Sequence, residues 1–165
     1  MLILPETPDD HDAIFALTQA AFKDHPHSLQ TEGHITDALR EAGALTLSLV
    51  ARVDGRIAGH IAFSPVQISD GSAHWYGLGP VAVLPGMQGR GIGAALIREG
   101  LDRLKAMGAA GCVVMGEPAY YTRFGFAQMP ALTYPGVPPA YFMAQVFTHP
   151  AQGRVAYHKG FEAAA

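Results

Sequence analysis

LGPVAVLPGMQGRGIGAALI, residues 78 to 97, runs from an apolar stretch through a glycine-rich turn into a helical pattern. Three of its glycines, Gly89, Gly91 and Gly93, fall at alternate positions. Glycine in a helix costs about 1 kcal/mol relative to alanine, so a run of them at a helix start points to something brought close to the backbone. The first N–H groups of a helix have no partners within it and carry the positive end of its dipole. An anion placed there meets ready donors, and successive loop amides extend the same nest. The stretch reads as a strand, an anion-binding loop and a helix, with side chains removed at 89, 91 and 93 so that a pyrophosphate reaches the amides.

Outward from the loop, residues 91 to 107 set Ile92, Leu96, Ile97, Leu101 and Leu104 on one helical face, with Gly108 placed to end the helix. A short buried strand is expected at 112 to 116. A helix between two strands implies a right-handed crossover, so 73 to 84 and 112 to 116 should be parallel neighbours. Upstream, Leu45, Leu47 and Leu49 alternate with polar residues, and Asp54-Gly55 and Asp70-Gly71 are tight-turn pairs. They divide 45 to 84 into an antiparallel meander with 56 to 68 as its middle strand. Thr7, Pro8 and Asp10 start a helix over 9 to 22 after a strand at 1 to 4, and a second helix spans about 28 to 42. Beyond 116 the pattern predicts a short helix near 118 to 123, strands near 125 to 129 and 140 to 147, and a Pro-rich loop at 134 to 141. The expected fold is α+β: a central mixed, mostly antiparallel sheet of about six to seven strands with helices on both faces. It forms a single domain over residues 1 to 165, without internal repeats.

Apolar residues make up 49% and charged residues 15%, the profile of a folded globular chain. The net charge is −3 and the 11 Lys and Arg are scattered, which argues against a nucleic-acid partner. MLIL is stopped by Pro5, and no run reaches the roughly 18 apolar residues that span a bilayer, so the expectation is no membrane partner and a cytoplasmic setting. Cys112 sits in the apolar run CVVM and reads as a buried thiol. His25, His27 and His34 match no metal-ligand spacing, so no metal is expected.

Three ligands compete for the loop. A P-loop needs Lys then Ser or Thr after its last glycine, where this chain has Ala94 and Ala95. A dinucleotide fingerprint is satisfied in spacing by Gly89, Gly91 and Ala94, but Leu84 to Gln88 separate the strand from the first glycine, and a meander precedes it. The third ligand is coenzyme A. Gln88-Gly89-Arg90-Gly91-Ile92-Gly93 resembles the Q/R-x-x-G-x-G/A loop of the GNAT N-acetyltransferases, preceded as in that family by the strand VAV at 81 to 83. EPAYYTRFGF, 117 to 126, is similar to the family's later block, in which a tyrosine lies five residues before the phenylalanine of a GF pair. LGPVAVLP and PAYYTRFGF together look most like the YhbS-like branch.

The resemblance implies a GNAT-type acyl-CoA acyltransferase fold and direct transfer of an acetyl group from acetyl-CoA to a primary amine of a small molecule or a protein. It implies that backbone at Val81, Ala82 and Val83 holds the pantetheine arm and the carbonyl oxygen. Gln88, Gly89, Arg90, Gly91, Ile92, Gly93 and Ala94 would hold the pyrophosphate. Tyr121 would protonate the departing thiolate, with Tyr120 the lesser candidate. Many members carry a glutamate base on the third meander strand, where the aligned position here is Gly77; His74, Tyr76, Glu32, His34 or a water relay are the substitutes. Arg90, Arg98 and Lys105 would reach the 3′-phosphate or stay solvated. Segments 23 to 40 and 130 to 142 would wall the acceptor channel. A non-catalytic acyl-CoA sensor is the alternative, and a homodimer stays open.

Overall fold

The computed structural model describes residues 1–164. Its strands are β1 (Leu2–Pro5), β2 (Leu47–Val53), β3 (Arg56–Ile68), β4 (Trp75–Val83), β5 (Gly111–Met115), β6 (Leu132–Thr133), β7 (Phe142–Val146) and β8 (Gly153–Tyr157). Four α-helices join them: α1 (His11–Phe22), α2 (Glu32–Glu41), α3 (Ile92–Ala106) and the single turn α4 (Pro118–Tyr121). The sheet runs β1-β2-β3-β4-β5-β7, with β8 added along the far end of β3 and β6 beside β8. Only the β4–β5 and β6–β8 pairs are parallel. The meander and the α3 crossover thus stand where the turn pairs and the helical period put them.

The apolar stripe of α3 decides one face. Ile92, Leu96, Ile97, Leu101 and Leu104 pack with Leu49, Ile61, Phe63 and Leu78 of the sheet. Gly59 permits this seat, because a Cβ there would stand 2.9 Å from Ile92 Cγ2 and from Leu96 Cδ1. On the opposite face α1 packs on β3 and β4 and α2 on β4, and Leu39 of α2 packs with Ile35, Ala44 and Phe161. The entry to α1 is fixed by its own carboxylate: Asp10 accepts from the Thr7 N–H at 2.8 Å and from Arg52 of β2 at 2.6 Å.

Four local expectations change. The sheet has eight strands, because β6 and β8 hold only two and three rungs and leave little pattern to read. The strand expected at 140 to 147 is therefore followed by one more, β8. The segment 125 to 129 forms one bridge, Ala127 with Ala144, since Gly125 takes φ 95° and Pro130 follows closely. The second helix begins at Glu32, four residues late, because Ser28 turns its hydroxyl onto the Glu32 carboxylate (2.7 and 2.8 Å) and Gln30 sits at φ 64°.

Candidate active site

β4 and β5 pair from Trp75–Gly111 to Gly77–Val113 and no further, although β4 runs on to Val83 and β5 to Met115. Beyond that rung each strand follows its other neighbour, β4 staying on β3 and β5 on β7. The parting coincides with a bulge in β4: Phe63 faces Leu78 and Ile61 faces Val81, so Gly79 and Pro80 together oppose Ala62. The Leu84 N–H bonds the Ala58 carbonyl at 2.9 Å. By the two-residue alternation of a strand, Ala82 therefore turns its backbone toward β3, while Val81 and Val83 turn theirs toward the gap. The Gln88 side chain closes on this edge, donating to the Val83 carbonyl at 3.2 Å.

Above the gap stands the head of α3. Gly89 and Gly91 both take φ 80°, with Gly91 as the residue preceding the helix. The backbone adds a reason for two of the glycines, and the space above them is open, since nothing of the protein lies within 4 Å of a Cβ built at either position. They are required by a left-handed backbone that L side chains adopt only with strain. Gly93 is the close-approach case, as a Cβ there would lie 3.3 Å from the Tyr120 hydroxyl. The Ala95 N–H bonds the Gly91 carbonyl at 3.0 Å, and among the described residues the backbone N–H groups from 88 to 94 have no intramolecular partner. No side chain caps the helix, and Gln88 to Gly91 are exposed. The geometry is a concentrated set of free donors at a dipole's positive end.

Facing this head from β5, α4 carries two tyrosines. Tyr120 reaches Gly93, while Tyr121 lays its ring on Gly116, where a Cβ would stand 2.5 Å from its Cε2. The pair is edge-on at 5.1 Å, and Phe126 meets Tyr121 edge-on at 6.2 Å. Burial, with Tyr120 adding to it, pushes the Tyr121 phenol up to about 12. The Arg98 guanidinium lies over Phe124 at 5.1 Å and the Lys105 ammonium over Phe147 at 5.2 Å, so both charged heads are engaged by aromatic faces, whereas Arg90 is exposed in the loop.

Of the substitutes for a strand glutamate, Tyr76 lies next to the parting rung, paired with Cys112, but turns to the α3 side. His74 is an exposed turn residue, Glu32 holds Ser28, and His34 stands edge-on to Phe15 at 5.0 Å. The space over Gly77 is filled instead by Tyr157 of β8: a Cβ at 77 would lie 2.5 Å from Tyr157 Cε1. Sequence reasoning passed over this tyrosine, and the one available signal was the five-residue alternation of Gly153 to Tyr157. Tyr134, from the late loop, packs edge-on against it at 5.2 Å.

A second polar cluster lies at the opposite edge of the sheet. Glu6 accepts from Arg40 at 2.8 and 3.0 Å and from Ser48, whose hydroxyl also meets His60 Nε2 at 2.8 Å. Burial alone would raise Glu6, but the bonds from Arg40 and Ser48 hold it below its ordinary range. His60 is fully buried, and its pKa is lowered to about 4 by desolvation, with Glu6 opposing and Arg40 adding to the fall. A cleft of about 800 Å³ opens beside this cluster, lined by Phe15, His34 and Arg40 among others. Arg40 is committed to Glu6 and Asp37 there, and the cleft lies away from the β4–β5 gap. Among the described residues no three His, Cys, Asp or Glu side chains gather as a metal set, and no helix is long and apolar enough to cross a membrane.

Residues 3–129 match the family described as acetyltransferase (GNAT) domain. The chain is 42% identical over 127 residues to the uncharacterized N-acetyltransferase YhbS of Escherichia coli (strain K12), covering 76% of this chain and 73% of that protein. Among solved structures, a GNAT family acetyltransferase from Brucella melitensis in complex with acetyl-CoA superposes with a TM-score of 0.87 at 52% identity, covering 97% of each chain. The Escherichia coli YhbS structure, in complex with CoA, gives a TM-score of 0.88 at 36% identity, over 98% of this chain and 91% of that one. With the parted strands and the open helix head of this fold in place, the chain belongs to the GNAT acetyltransferase family.

Proposed function

We propose that this chain is an N-acetyltransferase, working as one domain in the cytoplasm, that moves an acetyl group from acetyl-CoA to a primary amine of a small molecule or a protein. The observation that carries the reading is the run of unpartnered amides from 88 to 94 above a gap edged by the backbone of Val81 and Val83. The pyrophosphate sits on the amides of Gln88, Gly89, Arg90, Gly91, Ile92, Gly93 and Ala94, where the α3 dipole favours it. The pantetheine arm enters the gap as a pseudo-strand along Val81, Ala82 and Val83. A backbone N–H there meets the thioester carbonyl oxygen, and it stabilises the charge that oxygen gains in the transition state.

The amine nitrogen adds to the carbonyl carbon, the tetrahedral adduct collapses, and the carbon–sulfur bond breaks. The proton lost by nitrogen ends on the thiol of coenzyme A. Tyr121 is the group beside the sulfur. With its pKa near 12, complete transfer of its proton to a thiolate of ordinary basicity is uphill by about 5 kcal/mol. Its role is therefore to donate a strong hydrogen bond to the departing thiolate and to keep its own proton.

Gly91→Val tests the loop. The left-handed backbone strains a β-branched residue, so the amides lose their aim, and calorimetry with acetyl-CoA should show an affinity about 30-fold weaker, roughly 2 kcal/mol. Gly86→Val, in the same turn with ordinary φ and open space, is the matched control and should bind almost as wild type. Equal binding by all three proteins would remove the loop from the site. Release of free thiol from acetyl-CoA in the presence of a panel of primary amines separates the enzyme from a non-catalytic sensor.

A further inference from the structure

Five buried polar side-chain atoms have no hydrogen-bond partner among the described residues: Thr18 Oγ1, His60 Nδ1, Ser64 Oγ, Trp75 Nε1 and Tyr157 Oη. Three of them lie on one side of the sheet along β4. Ser64 faces Gly77 directly across β3–β4, so the two residues project to the same side. Trp75 precedes Gly77 by two on β4 and shares that side. The Tyr157 ring lies over Gly77 itself. Gly77–Val113 is the last rung before β4 and β5 part. Ser64 and the Tyr157 ring therefore meet at the last rung before the gap, while the Trp75 indole lies on the same side of the sheet against Gly111.

Tyr157 is the member best placed to act. Its ring is held from three directions: by the Gly77 backbone, by Tyr134 edge-on at 5.2 Å and by Phe161 at 5.0 Å. Its oxygen is sealed from solvent and unpaired. A buried hydroxyl without a partner destabilises a fold, and phenylalanine would fill the same volume without that penalty. Burial, together with Cys112, Tyr134 and Tyr121 nearby, drives the phenol pKa upward, so it stays a proton donor at any working pH.

We propose that Tyr157 is a further catalytic residue: its hydroxyl, at the vertex of the β4–β5 gap, donates a hydrogen bond to the acyl oxygen of the bound thioester. As the amine adds and that oxygen takes up the electron pair of the carbonyl, the bond strengthens, supplementing the β4 amide. A neutral donor from β8 thus occupies the place above Gly77, where the nearest atoms among the described residues belong to Tyr157 and Val66. The inference rests on the acetyl-CoA reading above.

Calorimetry on Tyr157→Phe with two probes, acetyl-CoA and CoA, tests it without an identified acceptor. Only acetyl-CoA carries the acyl oxygen. The expected result is a loss of about 3- to 10-fold in affinity for acetyl-CoA, the worth of one neutral hydrogen bond, with CoA affinity within about twofold of wild type. The melting temperature should hold or rise, because an unsatisfied hydroxyl is gone. Equal loss for both probes, with a lower melting temperature, would mean that Tyr157 is only structural; wild-type affinity for both would equally overturn the proposal. If the wild-type chain binds neither probe, the donor reading itself fails, an outcome distinct from the failure of Tyr157 alone.

Discussion

Tyr121→Phe is expected to lower kcat about 10²- to 10³-fold, the range for removing one preorganised hydrogen-bond donor to developing charge, while leaving acetyl-CoA affinity within a few-fold. The phenol contributes only once the carbon–sulfur bond is breaking and charge builds on sulfur, so its loss falls on the transition state and not on the bound thioester. The ring stays, and with it the packing on Gly116 and Phe126. Because burial holds the phenol near 12, the pH profile below that value should contain no limb from Tyr121, and its rise should follow deprotonation of the amine. Tyr120→Phe is the comparison: that hydroxyl stands at Gly93, by the helix head, and its loss should act on KM for acetyl-CoA. Steady-state kinetics by thiol release, with binding measured separately, decides between them, and a Tyr121→Phe enzyme with wild-type kcat would remove the phenol from the mechanism.

The second large effect is on stability in acid. His60 has a folded pKa near 4 against an unfolded value of 6.5. Above pH 6.5 it is neutral in both states. As pH falls from 6.5 to 4, the unfolded chain takes a proton that the folded chain refuses, so stability present at neutral pH is lost across that window, by roughly 3 kcal/mol at its foot. Glu6 works in the same sense at lower pH: its folded pKa is depressed, so its contribution is present above 4.5 and lost as pH falls through the folded value. Urea midpoints at pH 7 and pH 4.5 measure the loss. His60→Met removes the titrating ring and should flatten the curve across the window, whereas a wild-type midpoint that does not move would show that His60 is protonated in the folded chain.

What the sequence yielded follows from how local its signals are. The loop from Gln88 to Ala94 and the helix behind it are contiguous, so period and composition suffice to place them. The turn pairs Asp54-Gly55 and Asp70-Gly71 give the meander directly, with Asp54 and both glycines at positive φ. The parting of β4 and β5 was legible only as a change from antiparallel to parallel pairing, because the end of a ladder depends on which neighbour each strand keeps. Tyr157 was illegible for a related reason. It lies 80 residues from Gly77, on a strand of three rungs, and its position is set by β8 docking on the end of β3. The network of Glu6, Arg40, Ser48 and His60 likewise draws on the loop after β1 and on α2, β2 and β3, and no spacing in the chain records that they meet. At Gly89 and Gly91 the composition alone could not show a second requirement, the left-handed backbone at φ 80°.

The claim that everything else depends on is that bare backbone amides at the head of α3 hold the diphosphate of coenzyme A. An amide-resolved nuclear magnetic resonance titration of the labelled full chain with CoA reads those groups one by one. The account expects the largest shifts at Gly91, Ile92, Gly93 and Ala94, with Val81 and Val83 following as the pantetheine arm enters the gap. Saturable binding that leaves these amides unmoved and perturbs Phe15, His34 and Arg40 in the cleft between α1 and α2 would contradict it.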